Sequence, residues 1–145
     1  MVRRCVEEDG VRLVGIDTLN GYLNAIPTTA APVTRLHELL SYLSERAVAT
    51  LVILAQHGTV GSTMPVPVDL SYLADAIVLL RFFEAGGDVR KAISVVKKRT
   101  GAHENSIREL KIGDGRVRVG EPLRQFQGVL TGVPQYTGAS RPPDV

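Results

Sequence analysis

Two periods of apolar and polar residues alternate along the chain, and the place where one gives way to the other divides it. Arg12-Leu-Val-Gly-Ile-Asp17 is a short apolar run that ends in a carboxylate and is followed by Thr-Leu-Asn-Gly, with Glu7-Glu8-Asp9-Gly10 supplying a turn before it. Runs of this length bounded by turn residues are read as buried strands. Residues 1–9 offer barely two turns of helix, marginal without a partner, and read as the tail of a helix whose beginning is missing. Residues 24–32 (Asn-Ala-Ile-Pro-Thr-Thr-Ala-Ala-Pro) form a loop, with Pro32 placed to open the next helix. Leu36, Leu39, Leu40, Leu43 and Ala47 then recur at helical spacing, which predicts an amphipathic helix of about four turns with His37 on its flank. Residues 50–56 predict a second strand, and residues 58–68 are too rich in Gly and Pro for regular structure.

The pattern then changes. Asp69 or Ser71 can cap a short helix through Leu73, residues 76–82 predict a third strand, and Glu84-Ala-Gly-Gly-Asp88 turns the chain into a strand over 90–97. Residues 107–113 predict a further strand, and Asp114-Gly115 is a hairpin signal leading to 117–120. Residues 138–145 read as a disordered tail. The early strands, joined by a helical crossover, should be parallel; the later ones, joined by tight turns, should be antiparallel. The fold class expected is α/β.

Composition narrows the classes of function. A chain of 145 residues with 44% hydrophobic and 22% charged residues is globular and long enough to bury a core as one domain, expected over 1–137. No apolar run approaches the ~20 residues of a membrane span, and residues 1–20 lack a signal-peptide pattern. Cys5 stands alone, so no internal disulfide forms and a cytoplasmic setting is expected. The net charge of +2 hides an asymmetry: residues 1–80 hold 5 Lys and Arg against 8 Asp and Glu, and residues 81–145 hold 12 against 7. A basic second half suits phosphate or an acidic partner. Four Tyr, three Phe and no Trp make a poor stacking platform for nucleic acid, so phosphate ranks above polynucleotide.

Candidate chemistry gathers at strand ends, because ligands of open α/β sheets bind beyond the carboxyl ends of the strands. Asp17 stands at such an end. A carboxylate there can hold a phosphate-bound Mg²⁺, which keeps several waters and takes one or two protein oxygens; equally, it can cap a short helix beginning near Thr18. Gln56, at the end of the second strand, can bond a phosphate or an attacking water, or only satisfy loop backbone groups. Lys97-Lys-Arg-Thr-Gly-Ala-His103 is the most basic stretch; it can grip a polyphosphate or form a solvated charged face.

The order of these pieces resembles the C-terminal half of a KaiC-type domain, the RecA-like ATPases named for the cyanobacterial clock protein. The matching segments are Leu13-Val-Gly-Ile-Asp17-Thr-Leu, Ser71-Tyr-Leu-Ala-Asp75 before Ile77-Val-Leu-Leu-Arg81, and Ala92-Ile-Ser-Val-Val-Lys97-Lys-Arg99 with His103. They continue in Ile107-Arg-Glu-Leu and Phe126-Gln-Gly-Val-Leu-Thr-Gly-Val-Pro134, so they cover nearly the whole chain in the family's order. The resemblance implies a RecA-like sheet of parallel core strands plus antiparallel C-terminal hairpins, incomplete at the N-terminus, and an ATP-driven ring with nucleotide between neighbouring subunits. It implies that Asp17 is the Walker B carboxylate holding Mg²⁺ through water. Lys97, Arg99 and His103 would then reach a neighbouring subunit's ATP, and Gln56 is similar to the polar sensor of the next core strand.

The departures shape the expectation. No Gly-x-x-x-x-Gly-Lys-[Ser/Thr] occurs in the 145 residues, and Glu7-Glu8 lies too close to the Walker B strand to be the family's catalytic acidic pair. The strand ending at Asp17 would then lack a neighbour and expose an edge. The chain reads as the second half of a site that neither binds nor hydrolyses ATP alone. Two alternatives stand beside it: a regulatory or assembly partner of full-length KaiC-like subunits, and a RecA-like nucleic-acid-binding module that uses the basic second half.

Overall fold

The chain divides into two units, Met1–Ala55 and Gln56–Val145, in a computed structural model that describes residues 1–27, 31–55 and 71–138. The first unit runs α1 (Val2–Glu7), β1 (Leu13–Asp17), α2 (Leu19–Ala25), α3 (Pro32–Glu45) and β2 (Ala49–Ile53). β1 and β2 pair in parallel, from Leu13 opposite Ala49 to Asp17 opposite Ile53, as a strand–helix–strand crossover requires. The leucine period of α3 is what buries the helix: Leu36 and Leu43 are fully buried, and Leu43 joins Val6 and Val48 in a core lined by Val2, Val11, Val14, Leu39 and Tyr42. The short α1 therefore has the partner that its length demands, and Tyr42 Oη donates to Glu7 Oε1 at 2.9 Å.

Period-2 alternation leaves the other side of the parallel pair uncovered among the described residues. Leu13, Leu51 and Ile53 are 69%, 60% and 43% exposed. A helix does begin after β1, but its cap is corrected by one residue. Thr18, in extended backbone, accepts the Gly21 N–H through Oγ1 at 3.3 Å, so Asp17 is not spent on capping.

The second unit is built on a four-stranded antiparallel sheet in sequence order, β3 (Ala76–Ala85), β4 (Asp88–Lys98), β5 (Arg108–Gly113) and β6 (Arg116–Pro122). β3 is longer than its apolar run predicts, because Phe83, Glu84 and Ala85 continue the ladder against Arg90, Val89 and Asp88, and Gly86-Gly87 alone makes the turn. At the Asp114-Gly115 turn both residues take positive φ, 51° and 67°, the conformation that a two-residue hairpin asks for. A two-stranded ribbon, β7 (Phe126–Gln127) with β8 (Gln135–Tyr136), was not predicted by periodicity.

One face of the sheet is covered by this ribbon and its loop. Phe83, Ala92 and Val129 are each 1% exposed and contact Ala85, Ile107, Leu123 and Phe126. The alternate positions Val78, Leu80, Phe82, Ile112, Val117 and Val119 remain exposed. The short helix expected through Leu73 is corrected: residues 71–73 form a turn, and Asp69 lies outside the described residues, as do the 58–68 loop and residues 139–145 of the expected tail.

Candidate functional site

Asp17 is the last residue of β1 and is exposed. The chain turns directly into α2, whose second residue, Asn20, donates Nδ2–H to the carbonyl of Ala55 at 3.1 Å, just past the end of β2. This bond ties the start of α2 to the parallel pair beside the carboxylate. Asn20 Oδ1 is buried and has no hydrogen-bond partner among the described residues. A buried acceptor left unpaired is costly, and its natural partner is a donor such as water. No group of three or more His, Cys, Asp and Glu side chains that could hold a metal occurs among the described residues; Mg²⁺ held through its waters needs only one or two carboxylates.

The basic stretch sits in the second unit, where β4 ends. The β3–β4 ladder closes with Ile77 opposite Lys97 and Ala76 opposite Lys98, and the Arg99 N–H extends it by one bond to the Asp75 carbonyl at 2.7 Å. The side chains then fold onto the turn before β3. Lys97 Nζ donates to the Ser71 carbonyl, and Arg99 Nη2 donates to the Tyr72 carbonyl at 2.9 Å. Arg99 Nη1 lies 3.1 Å from Asp75 Oδ1. Lys98 takes a different course and donates to Ala102 O at 3.3 Å, closing the loop that carries His103. His103 is half-buried in the irregular stretch between β4 and β5. Next to it, Glu104 accepts from Arg108 Nε at 2.8 Å and from Ser106, and these bonds hold its carboxyl below the usual carboxylate range.

Lys97 and Arg99 are thus brought onto one short segment, 71–75; Asp17 belongs to the first unit, and Gln56 lies outside the described residues. Sequence reasoning missed Asn20, although it stands in the Thr-Leu-Asn-Gly that follows β1. It also gave Asp75 no role, although Asp75 closes a segment that carries the family resemblance. The carbonyls of Ser71 and Tyr72 leave no trace in a sequence, because every residue has one.

A family model for "ATPase: KaiC" matches residues 1–124. The chain belongs to the KaiC ATPase family. With that match, the parallel pair and the antiparallel strands are parts of a RecA-like α/β fold. The circadian clock protein KaiC3 of Synechocystis sp. is 28% identical over 140 residues, which is 97% of this chain and 28% of that protein. The circadian clock oscillator proteins KaiC of Thermostichus vulcanus and Synechococcus elongatus are each 34% identical over 65 residues, 45% of this chain and 12% of theirs. The chain therefore spans less than a third of the length of these relatives. Nucleotide and Mg²⁺ binding and assembly into oligomers are properties of the KaiC family. Among the described residues no helix is long and apolar enough to cross a membrane.

Proposed function

We propose that this chain supplies a half-site to an ATP-binding ring of KaiC-like subunits. Lys97, Arg99 and His103 serve a neighbouring subunit's nucleotide, and Asp17 holds Mg²⁺ through water as the Walker B carboxylate. The observation that carries this reading is the end of β4, where two cations are anchored on carbonyls of one turn while half of the Arg99 side chain stays exposed. A planar guanidinium so placed is suited to a multi-oxygen anion such as a phosphate, two of whose oxygens its N–H fork can meet. An Arg brought in from outside stabilises charge on a transferring phosphoryl group. The exposed Asp17 carboxylate fits a hydrated Mg²⁺, which takes few protein oxygens.

The 145 residues contain no phosphate-binding loop of the Gly-x-x-x-x-Gly-Lys-[Ser/Thr] kind, so the cradle for the nucleotide comes from other sequence. Ring contacts of this type are head-to-tail, and one subunit completes the site of the next. The test is to add the full chain to a full-length KaiC-type ATPase and follow phosphate release. Turnover is expected to rise with wild-type chain, and Arg99→Ala is expected to cancel the rise. An unchanged rate, or a fall in rate that persists with Arg99→Ala, overturns this function.

A further inference from the structure

An exposed arginine is a poor instrument for placing charge, because its long side chain samples many rotamers and must give up that freedom when it binds. Arg99 has been relieved of much of this cost. Its main-chain N–H is bonded to Asp75 O, its Nη2 to Tyr72 O, and its Nη1 is paired with the Asp75 carboxylate, so both ends of the side chain are held by the same segment. Nε has no acceptor among the described residues, and the side chain is still 53% exposed. Lys97 is held one carbonyl earlier, at Ser71. The two cations, two residues apart at the end of β4 and just beyond it, are thus fixed by acceptors one residue apart on one turn.

Asp75 is the puzzling member. Its side chain is 75% exposed, so as a surface ion pair it contributes little to stability. As a negative charge beside a phosphate-binding arginine, it also opposes the anion. Simple electrostatics predicts that removing its charge strengthens anion binding. A carboxylate in that place makes sense for the function proposed above if what it supplies is orientation.

We propose that segment 71–75 is a bracket that presets Lys97 and Arg99 for a phosphate group brought from outside the chain, with Asp75 as a positioning residue for Arg99. The inference rests on the half-site reading, and it names the residue that aims the trans-acting cation. Inorganic tripolyphosphate is the probe, titrated into the full chain and followed by amide and arginine Nε–Hε resonances. Asp75→Asn keeps the shape and removes the charge. It is expected to weaken tripolyphosphate binding by about three- to ten-fold, the equivalent of one side chain left to be ordered on binding. It is also expected to loosen Arg99 Nε–Hε in relaxation measurements, while an unchanged amide spectrum elsewhere shows that the fold is intact. Asp75→Glu is expected to recover part of both losses.

Binding that is unchanged or tighter in Asp75→Asn, with Arg99→Ala still weakening it, overturns the bracket and leaves the half-site reading standing. Tripolyphosphate that shifts no resonance of Lys97, Arg99 or His103, or an affinity unaltered by Arg99→Ala, overturns both.

Discussion

Arg90 does the work of three residues in the second unit. Its Nε donates to Glu109 Oε1 at 2.8 Å, and its guanidinium lies over the rings of Phe83 and Phe126 at 5.6 and 5.7 Å. The pair is largely withdrawn from water, with side chains 31% and 16% exposed. The bond to Arg90 holds the Glu109 carboxyl below the usual range against the opposing effect of its burial, and it raises Arg90 in turn. A carboxyl depressed in the folded state contributes stability above its unfolded pKa, about 4.3, and loses it as pH falls through the lower folded value. Acid unfolding below about pH 4 is therefore expected to draw on this pair. Arg90→Ala should cost about 1–3 kcal/mol at neutral pH, because it leaves the mostly buried Glu109 carboxylate with only the longer contact to Lys111, at 3.6 Å, and uncovers two rings. Glu109→Gln should flatten the acid limb of a stability–pH curve measured by urea unfolding. An acid limb identical to wild type would show that the pair carries no linked proton. The sequence disclosed Arg90 and Glu109 only as charges on neighbouring strands; their pairing depends on the β4–β5 register, in which Ala92 meets Glu109.

At the scale of elements, what could be read from the sequence is what has a period. The runs ending at Asp17 and in 50–56, the leucines of α3 and the turn residues at 84–88 and 114–115 gave strands, helix and hairpins, since burial selects apolar residues at intervals set by the backbone. The β7–β8 ribbon, with two residues in each strand, is too short to show a period. It is held by a local device, the loop between its strands. The Gly128 carbonyl accepts from Thr131 N–H at 3.2 Å, Val133 N–H at 3.2 Å and Thr131 Oγ1 at 2.9 Å. Gly128 has φ +71°, and a Cβ there would fall 2.3 Å from the Val133 carbonyl oxygen. Gly128→Ala is expected to cost about 2–4 kcal/mol, from left-handed strain together with displacement of the loop that carries buried Val129. Gly115→Ala, also at positive φ but in open space, should cost only about 1–2 kcal/mol. Equal urea midpoints for the two variants would contradict the account of the loop. The cap after β1 and the turn at 71–73 missed their expected places because Asp, Ser and Thr all cap well: the local bond from Gly21 N–H selects Thr18, and bonds from Lys97 and Arg99 hold the carbonyls of the turn.

At the scale of the whole molecule, the sequence carried the family and named candidate site residues, and it left open how those residues are held. The charge asymmetry pointed to phosphate, and the resemblance assigned Asp17, Gln56, Lys97, Arg99 and His103 their parts. The bracket of carbonyls behind Lys97 and Arg99 became visible only in three dimensions. The central claim is that these parts serve nucleotide sites that other sequence must complete, Asp17 as a Walker B carboxylate and Lys97, Arg99 and His103 toward a neighbouring subunit. Calorimetric titration of the full chain with Mg²⁺ and ATP puts it to the test. A half-site without a phosphate cradle gives no saturable heat at micromolar ATP, with any association through Lys97 and Arg99 confined to about the millimolar range. Saturable binding with a Kd below about 10 µM would mean that the chain holds a complete nucleotide site, and the half-site account would be wrong.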